Sequence, residues 1–226
     1  MLILAIDTSG RHGSVALCRG DANTFETLQL MPLEGGTYSA RLMPTISSLL
    51  QANGLLKENL DGLVAVSGPG SFTGLRVGLA TVKGLCEILG KPLATVSMLE
   101  AIAVTHGSAG ETVTALLDAG RSEVYIGEYR VAAAGAGLVR EYIAKLADLA
   151  AKASTLGGRV ITPDAQVGDA LRAAGAEIAL ISPVKADGIG RIGLRKLLAA
   201  DIVDVASVDV NYIRRSDAEI FAKPNR

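Results

Sequence analysis

The stretch Leu2-Ile3-Leu4-Ala5-Ile6-Asp7-Thr8-Ser9-Gly10-Arg11 decides how the rest of the chain is read. Its opening apolar run has strand length and no polar interruption, the pattern of a strand buried on both faces. The run ends on Asp7, and Thr8 to Gly13 is a polar, Gly-containing turn. The same wording returns in the second half. Thr112-Val113-Thr114-Ala115-Leu116-Leu117-Asp118 is again an apolar strand ending in Asp, followed by the short polar turn Ala119-Gly120-Arg121-Ser122. Asp7-Thr8-Ser9-Gly10-Arg11 and Asp118-Ala119-Gly120-Arg121 therefore hold equivalent places in two halves.

Working outward from the first turn, residues 14–18 and 24–30 read as two further strands. Residues 38–52 follow as a helix, with Tyr38, Leu42, Ile46 and Leu49 at helical spacing. Pro44 lies inside it and is expected to kink it or to mark where its regular part begins. A strand at 63–67, a helix at 73–89 and a strand at 93–96 complete the order β-β-β-α-β-α-β. From the second turn the strand 123–129 follows, then a flexible loop at 132–137 and a third strand at 138–143. A short helix (146–153), a strand (159–162), a helix (165–174), a strand (177–181) and a helix leading back (190–200) come after. The echo predicts an α/β protein built by duplicating a β-β-β-α-β-α unit, the actin-like/ribonuclease H-like (ASKHA) architecture. The expected division is 1–103 for the first subdomain, joined by a returning tail at 205–226, and 104–204 for the second.

The chain has 226 residues, 49% of them hydrophobic and 20% charged, which makes it globular rather than disordered. A net charge of −1 provides no global basic field for nucleic acid. No apolar run approaches the ~20 residues that span a bilayer. The first residues lack a basic leader region and read as a strand, not a signal peptide. Cys18 and Cys86 fit no metal or redox spacing and are expected as reduced core thiols of a cytoplasmic protein.

Between the fourth strand and its helix stands Ser67-Gly68-Pro69-Gly70-Ser71-Phe72-Thr73-Gly74-Leu75-Arg76-Val77-Gly78. A phosphate-binding P-loop is rejected, because Leu75-Arg76 follow Gly74 where Lys and Ser/Thr are required. A dinucleotide fingerprint fails on spacing: Gly68-x-Gly70-x-x-x-Gly74 is one residue too long and no acidic strand end follows. The helix itself carries an apolar seam, Leu75, Leu79, Val82, Cys86 and Leu89, beside a stripe of Gly74, Gly78, Thr81 and Leu85. Each interior Gly costs ~1 kcal/mol against Ala, so two of them point to another backbone close by. That neighbour is either the chain's own 38–52 helix or a second subunit, and the residues leave both open.

Asp7 sits where an actin-like ATPase would meet magnesium and phosphate, which makes Asp7, Thr8 and Asp118 a candidate vestigial nucleotide site. The competing reading has Asp7 capping its own turn, and the chemistry of the turn favours it. A helical metal pair would need two His at i and i+4, but Met98 and Ile102 hold that spacing. His12 and His106 lie on separate elements, and His106 reads as a polar helix-end residue. No Ser/His/Asp arrangement is present, and Ser71 is not in a Gly-x-Ser-x-Gly elbow. No metal site is expected.

Leu4-Ala5-Ile6-Asp7-Thr8, the Gly68–Gly78 motif, Leu117-Asp118-Ala119-Gly120-Arg121-Ser122-Glu123-Val124-Tyr125 and Tyr212-Ile213-Arg214 together resemble the TsaB (YeaZ) family, in order and over nearly the whole chain. The resemblance implies two actin-like subdomains, the second reduced relative to the catalytic paralogue, TsaD. It implies a non-catalytic platform with no catalytic residue of its own. This platform pairs with TsaD through the 38–52 and 73–89 helices, and a TsaE-type ATPase docks on the pair. The complex would use ATP and transfer a threonylcarbamoyl group to the N6 amine of the adenosine beside the tRNA anticodon. No cofactor is expected on this chain alone, and tRNA is reached through the complex. The implied interface, with TsaD or in a homodimer, comprises Tyr38, Leu42, Ile46, Thr73, Gly74, Arg76, Val77, Gly78 and Thr81, beside the motif loop Gly68, Pro69, Gly70, Ser71 and Phe72. Tyr38 departs from the family pattern, where many relatives carry His, and is expected to alter local packing only. The alternative is an actin-like ATPase or small-molecule kinase using Asp7 and Asp118.

Overall fold

The protein is described by a computed structural model covering residues 1–133, 135–211 and 213. The first half runs β1 (Leu2–Asp7), β2 (His12–Gly20), β3 (Phe25–Glu34), α1 (Tyr38–Ala52), β4 (Gly62–Gly68), α2 (Phe72–Leu89), β5 (Leu93–Ser97) and α3 (Met98–His106). The second repeats it as β6 (Thr112–Gly120), β7 (Glu123–Ala132), β8 (Gly135–Lys145), α4 (Leu146–Ala151), β9 (Arg159–Thr162), α5 (Ala165–Ala173), β10 (Ile178–Leu180) and α6 (Ala186–Leu198). Each half forms one five-stranded sheet, ordered β3-β2-β1-β4-β5 and β8-β7-β6-β9-β10. The pairings agree strand for strand. β1 is antiparallel to β2 and parallel to β4, as β6 is to β7 and β9. The duplication read from the two Asp turns is thus a duplication of topology.

β1 and β4 occupy the middle of the first sheet, and their wholly apolar wording follows from helices on both faces. α1 and α2 cover one face. α6 covers the other, close enough that a Cβ on Gly193 would lie 2.2 Å from Val64. The expected division at 103/104, with α6 in the second subdomain, needs correction here. α6 packs on the first sheet, and α3, at the end of the first half, packs on β6 and β7 of the second. A Cβ on Gly127 of β7 would meet Leu99 of α3 at 2.9 Å. The last helix of each half crosses to the other's sheet, and the two helices touch. Most of the buried apolar residues of both halves consequently belong to one cluster.

Three local expectations are also corrected. The loop expected at 132–137 is largely strand among the described residues: β7 runs to Ala132, β8 starts at Gly135, and the two pair there. α1 continues through Pro44, which sits on its exposed side. Ala40, whose carbonyl loses its partner there, is also exposed to water. α6 begins at Ala186, whose N–H donates to Ser14 Oγ at 2.9 Å, four residues before the expected start.

After α6 the chain returns along the first half. Val203 N donates to Leu93 O (2.9 Å), Lys83 Nζ to Ala206 O (3.1 Å) and Val208 O (2.9 Å), and Asn211 N to Ser67 O (2.8 Å). Glu141 on β8 fastens this segment to both halves. It accepts hydrogen bonds from Ser97 Oγ (2.6 Å), Asn211 Nδ2 (3.2 Å) and the Tyr129 hydroxyl. Tyr212, Arg214 and Arg215 lie outside the described residues.

Candidate functional site

The β1–β2 turn is the point on which α1 and α2 rest. Asp7 is buried, and its Oδ1 accepts from Ser9 N (2.8 Å) and Ser9 Oγ (2.7 Å). Burial pushes the carboxyl above its ordinary range, and the two Ser9 bonds offset only part of that rise. Ser9 O accepts from Ser71 N at 2.6 Å, which ties the Gly-rich loop to the turn. Ser71 Oγ then caps α2 by accepting from Gly74 N (3.3 Å). Thr8, also buried, donates from Oγ1 to Gly74 O (2.7 Å). A Cβ on Gly74 would lie 2.1 Å from Thr8 O, and one on Gly78 would lie 2.2 Å from Thr8 Oγ1. From the other side, the Tyr38 hydroxyl donates to Gly10 O (2.7 Å). Burial, followed by the nearby Asp7, pushes this phenol up to about 12. Gly68 holds φ at 131°, and a Cβ there would lie 2.7 Å from Asn211 O.

The small-residue stripe of α2 is thereby explained. Gly78 admits Thr8 of the chain's own β1–β2 turn. Gly74 admits Thr8 together with Tyr38 of α1, whose ring would lie 3.3 Å from a Cβ on Gly74, so the chain's own 38–52 helix is one of the neighbours. Tyr38, Leu42 and Ile46 are likewise 5%, 1% and 3% exposed, so their seam is core, and these five residues are corrected as interface candidates. Thr73 and Arg76 are exposed and Val77 and Thr81 half-exposed, so they remain on the surface. Arg76 lies 3.8 Å over the Phe72 ring.

Apart from Val77 and Thr81, the sequence expectations missed the outward side of the same two helices. Ser39, Met43 and Ser47 on α1 are exposed. Alongside them on α2 run Val77, Thr81, Gly84 and Ile88, the last 76% exposed. None of these seven side chains is charged. A Cβ on Gly84 would meet nothing within 4 Å. On α1 the exposed positions come one residue after the buried Tyr38, Leu42 and Ile46, and on α2 Val77, Thr81 and Gly84 come one residue before the buried Gly78, Val82 and Leu85.

Beside this face, between the two halves, lies a cleft of about 790 Å³. Ser9, Gly10, Arg11, Gly70, Ser71 and Tyr38 line one wall, and Asp118, Ala119, Gly120 and Tyr125 the other. Of the three candidate nucleotide residues only Asp118 reaches it. Asp118 Oδ1 accepts from Gly120 N (2.9 Å) and its own N–H donates to Asp164 Oδ2 (2.7 Å). Asp7 and Thr8 are turned into the packing behind Ser9. A magnesium nucleotide fits these residues poorly, since Asp118 is the one carboxylate among the described lining residues. Met98 and Ile102 are core, and no group of three or more His, Cys, Asp or Glu among the described residues is placed to hold a metal. No helix among them is long and apolar enough to cross a membrane.

A family model described as "TsaD: tRNA N6-adenosine threonylcarbamoyltransferase" matches residues 35–220. The "tRNA threonylcarbamoyladenosine biosynthesis protein TsaB" of Bacillus subtilis (strain 168) is 35% identical over 130 residues, covering 58% of this chain and 56% of that protein. The chain belongs to the family this model describes, and within it to the TsaB/YeaZ proteins. It spans a little over half the length of the curated TsaB relatives it matches. A Pseudomonas aeruginosa protein described as similar to the peptidase YeaZ shares its fold, with a TM-score of 0.75 at 23% identity, covering 94% of this chain and 99% of that one. Component A of the (R)-2-hydroxyglutaryl-CoA dehydratase of Acidaminococcus fermentans aligns with a TM-score of 0.51 at 14% identity, covering 88% of this chain and 99% of that chain. The TsaB/YeaZ fold seen here is thus the two-subdomain actin-like (ASKHA) arrangement.

Proposed function

We propose that this chain is the non-catalytic scaffold subunit of a tRNA threonylcarbamoyladenosine-forming complex. The family model and the names of the curated relatives support the pathway. The observation that carries the scaffold role is the fate of Asp7. The carboxylate that an enzyme of this architecture would present at its cleft is sealed beneath Ser9 and spent on its own turn. What the turn supports is the outer strip of α1 and α2 formed by Met43, Val77, Thr81, Gly84 and Ile88. In this reading that face receives a TsaD-type catalytic paralogue, and a TsaE-type ATPase docks on the pair and uses ATP. The TsaD-type subunit carries out transfer to the N6 amine of the adenosine beside the anticodon, in the cytoplasm. Alone, the chain uses the same face against a second copy of itself. The opening beside Gly84 suits close approach by a partner helix, since no side chain among the described residues fills it.

The test measures threonylcarbamoyladenosine in bulk tRNA by nucleoside mass spectrometry in depleted cells, complemented with wild type or with Gly84→Leu. Wild type restores the nucleoside. Gly84→Leu keeps or raises the melting temperature, because Leu is the better helix former, yet binds the TsaD-type partner about tenfold more weakly by steric exclusion. An unchanged nucleoside level on depletion overturns the pathway. Full affinity of the variant overturns the face.

A further inference from the structure

At the far end of the second half from the cleft, a groove of about 320 Å³ opens between the end of α3, the β7–β8 hairpin and α6. Tyr125 touches the cleft and Val131 the groove, so β7 separates the two by about 20 Å. Arg191 and Arg195 stand at the groove one helical turn apart on α6, both exposed. The lining holds no carboxylate among the described residues, and neither arginine has an Asp or Glu within 4 Å among them. The nearby Arg159 differs in this respect: it lies 3.7 Å from Glu111, and its Nη1 is bound to His106 O at 2.7 Å.

The two guanidinium groups make uncharged contacts with different elements. Arg191 lies 4.4 Å over the ring of Phe25, at the start of β3. Arg195 Nη1 reaches Ala133 O in the β7–β8 hairpin at 3.4 Å, a long bond that releases easily. One is anchored on β3 and the other on the β7–β8 hairpin, and both border the same open groove. They offer two planar forks in sequence along a surface groove, an arrangement suited to successive phosphates of a chain.

We infer that this groove holds the phosphodiester backbone of the tRNA substrate, at a distance from the reacting adenosine. The inference rests on the proposed function and supplies the RNA contact that a net charge of −1 leaves without a global source. The contact positions the tRNA and reads no sequence.

The experiment measures tRNA affinity of the complex assembled with the TsaD-type and TsaE-type proteins, as a function of salt, and modification by the same samples. The Arg191→Glu/Arg195→Glu pair is compared with Arg191→Lys/Arg195→Lys and with Lys152→Glu, a lysine at the end of α4. Charge reversal is expected to weaken tRNA binding about tenfold or more near 0.1 M salt and to reduce the salt slope by about 1.5, the share of two phosphate contacts. The lysine pair retains most of the affinity, and Lys152→Glu changes neither quantity. Unchanged affinity and slope in the charge-reversed complex, with subunit pairing intact by size exclusion, overturn the groove and leave the scaffold function standing. A wild-type complex that neither binds nor modifies tRNA overturns both.

Discussion

The two Asp turns have the same topology and opposite surroundings. Asp7 is buried, bound twice by Ser9 and roofed by α1 and α2, which are 15 and 18 residues long. Asp118 is exposed on a cleft wall, and its half has only a six-residue α4 and a nine-residue α5. The helices of the two halves differ in length, and the turns differ in cover: Thr8 of the first turn packs against α2 at Gly74 and Gly78, whereas the second turn lies open on the cleft. A duplicated motif therefore does not carry a duplicated role, and the half with more cover is the one whose polar residues have become structural.

Gly78 and Gly84 test this contrast most severely, because they stand on one helix with opposite environments. Gly78→Leu is expected to cost about 3 kcal/mol, since the new Cβ falls on Thr8 Oγ1. Urea unfolding checks this, and a stability equal to that of Gly84→Leu would break the account of the covered turn. Tyr38→Phe removes one buried hydrogen bond, to Gly10 O, and is expected to cost about 1 kcal/mol in the same assay.

Asp7→Asn sharpens the comparison through pH. The carboxyl is raised above 3.8 in the folded state, so the folded protein holds its proton more tightly than the unfolded chain. Its contribution to stability is present below pH 3.8 and is lost as pH rises through the raised value. Asparagine removes that step. The variant is expected to match or exceed wild type at neutral pH and to lose its advantage in acid, as read by urea titrations from about pH 3 to about pH 8. Asp118→Asn, at the open turn, is expected to shift stability by less than about 0.5 kcal/mol. A large loss at neutral pH from Asp7→Asn would show that its charge is needed.

The strands and their duplication were legible because an apolar run ended by Asp and a polar turn specifies a buried strand and its exit together. The Gly-rich loop was legible as a site of close approach and the 38–52 helix as one neighbour, but not the β1–β2 turn, because Thr8 is distant in sequence from Gly74 and Gly78. The seam Tyr38, Leu42, Ile46 was visible as a stripe, and a stripe at helical spacing does not say whether it faces the core or a partner. The crossing of α3 and α6 left no trace at all. A buried helix carries the same apolar wording whichever sheet it covers. The sequence left Asp7 between a nucleotide site and a self-capped turn, and in the fold its Oδ1 is buried and accepts from Ser9 N and Oγ.

The exchange of α3 and α6 fixes how this molecule can be divided. A cut in the connection between the halves near Ser108 to Gly110 would give two fragments that each carry a helix belonging against the other's sheet. Neither fragment could close its own interior, and each would solubilise only by finding its counterpart.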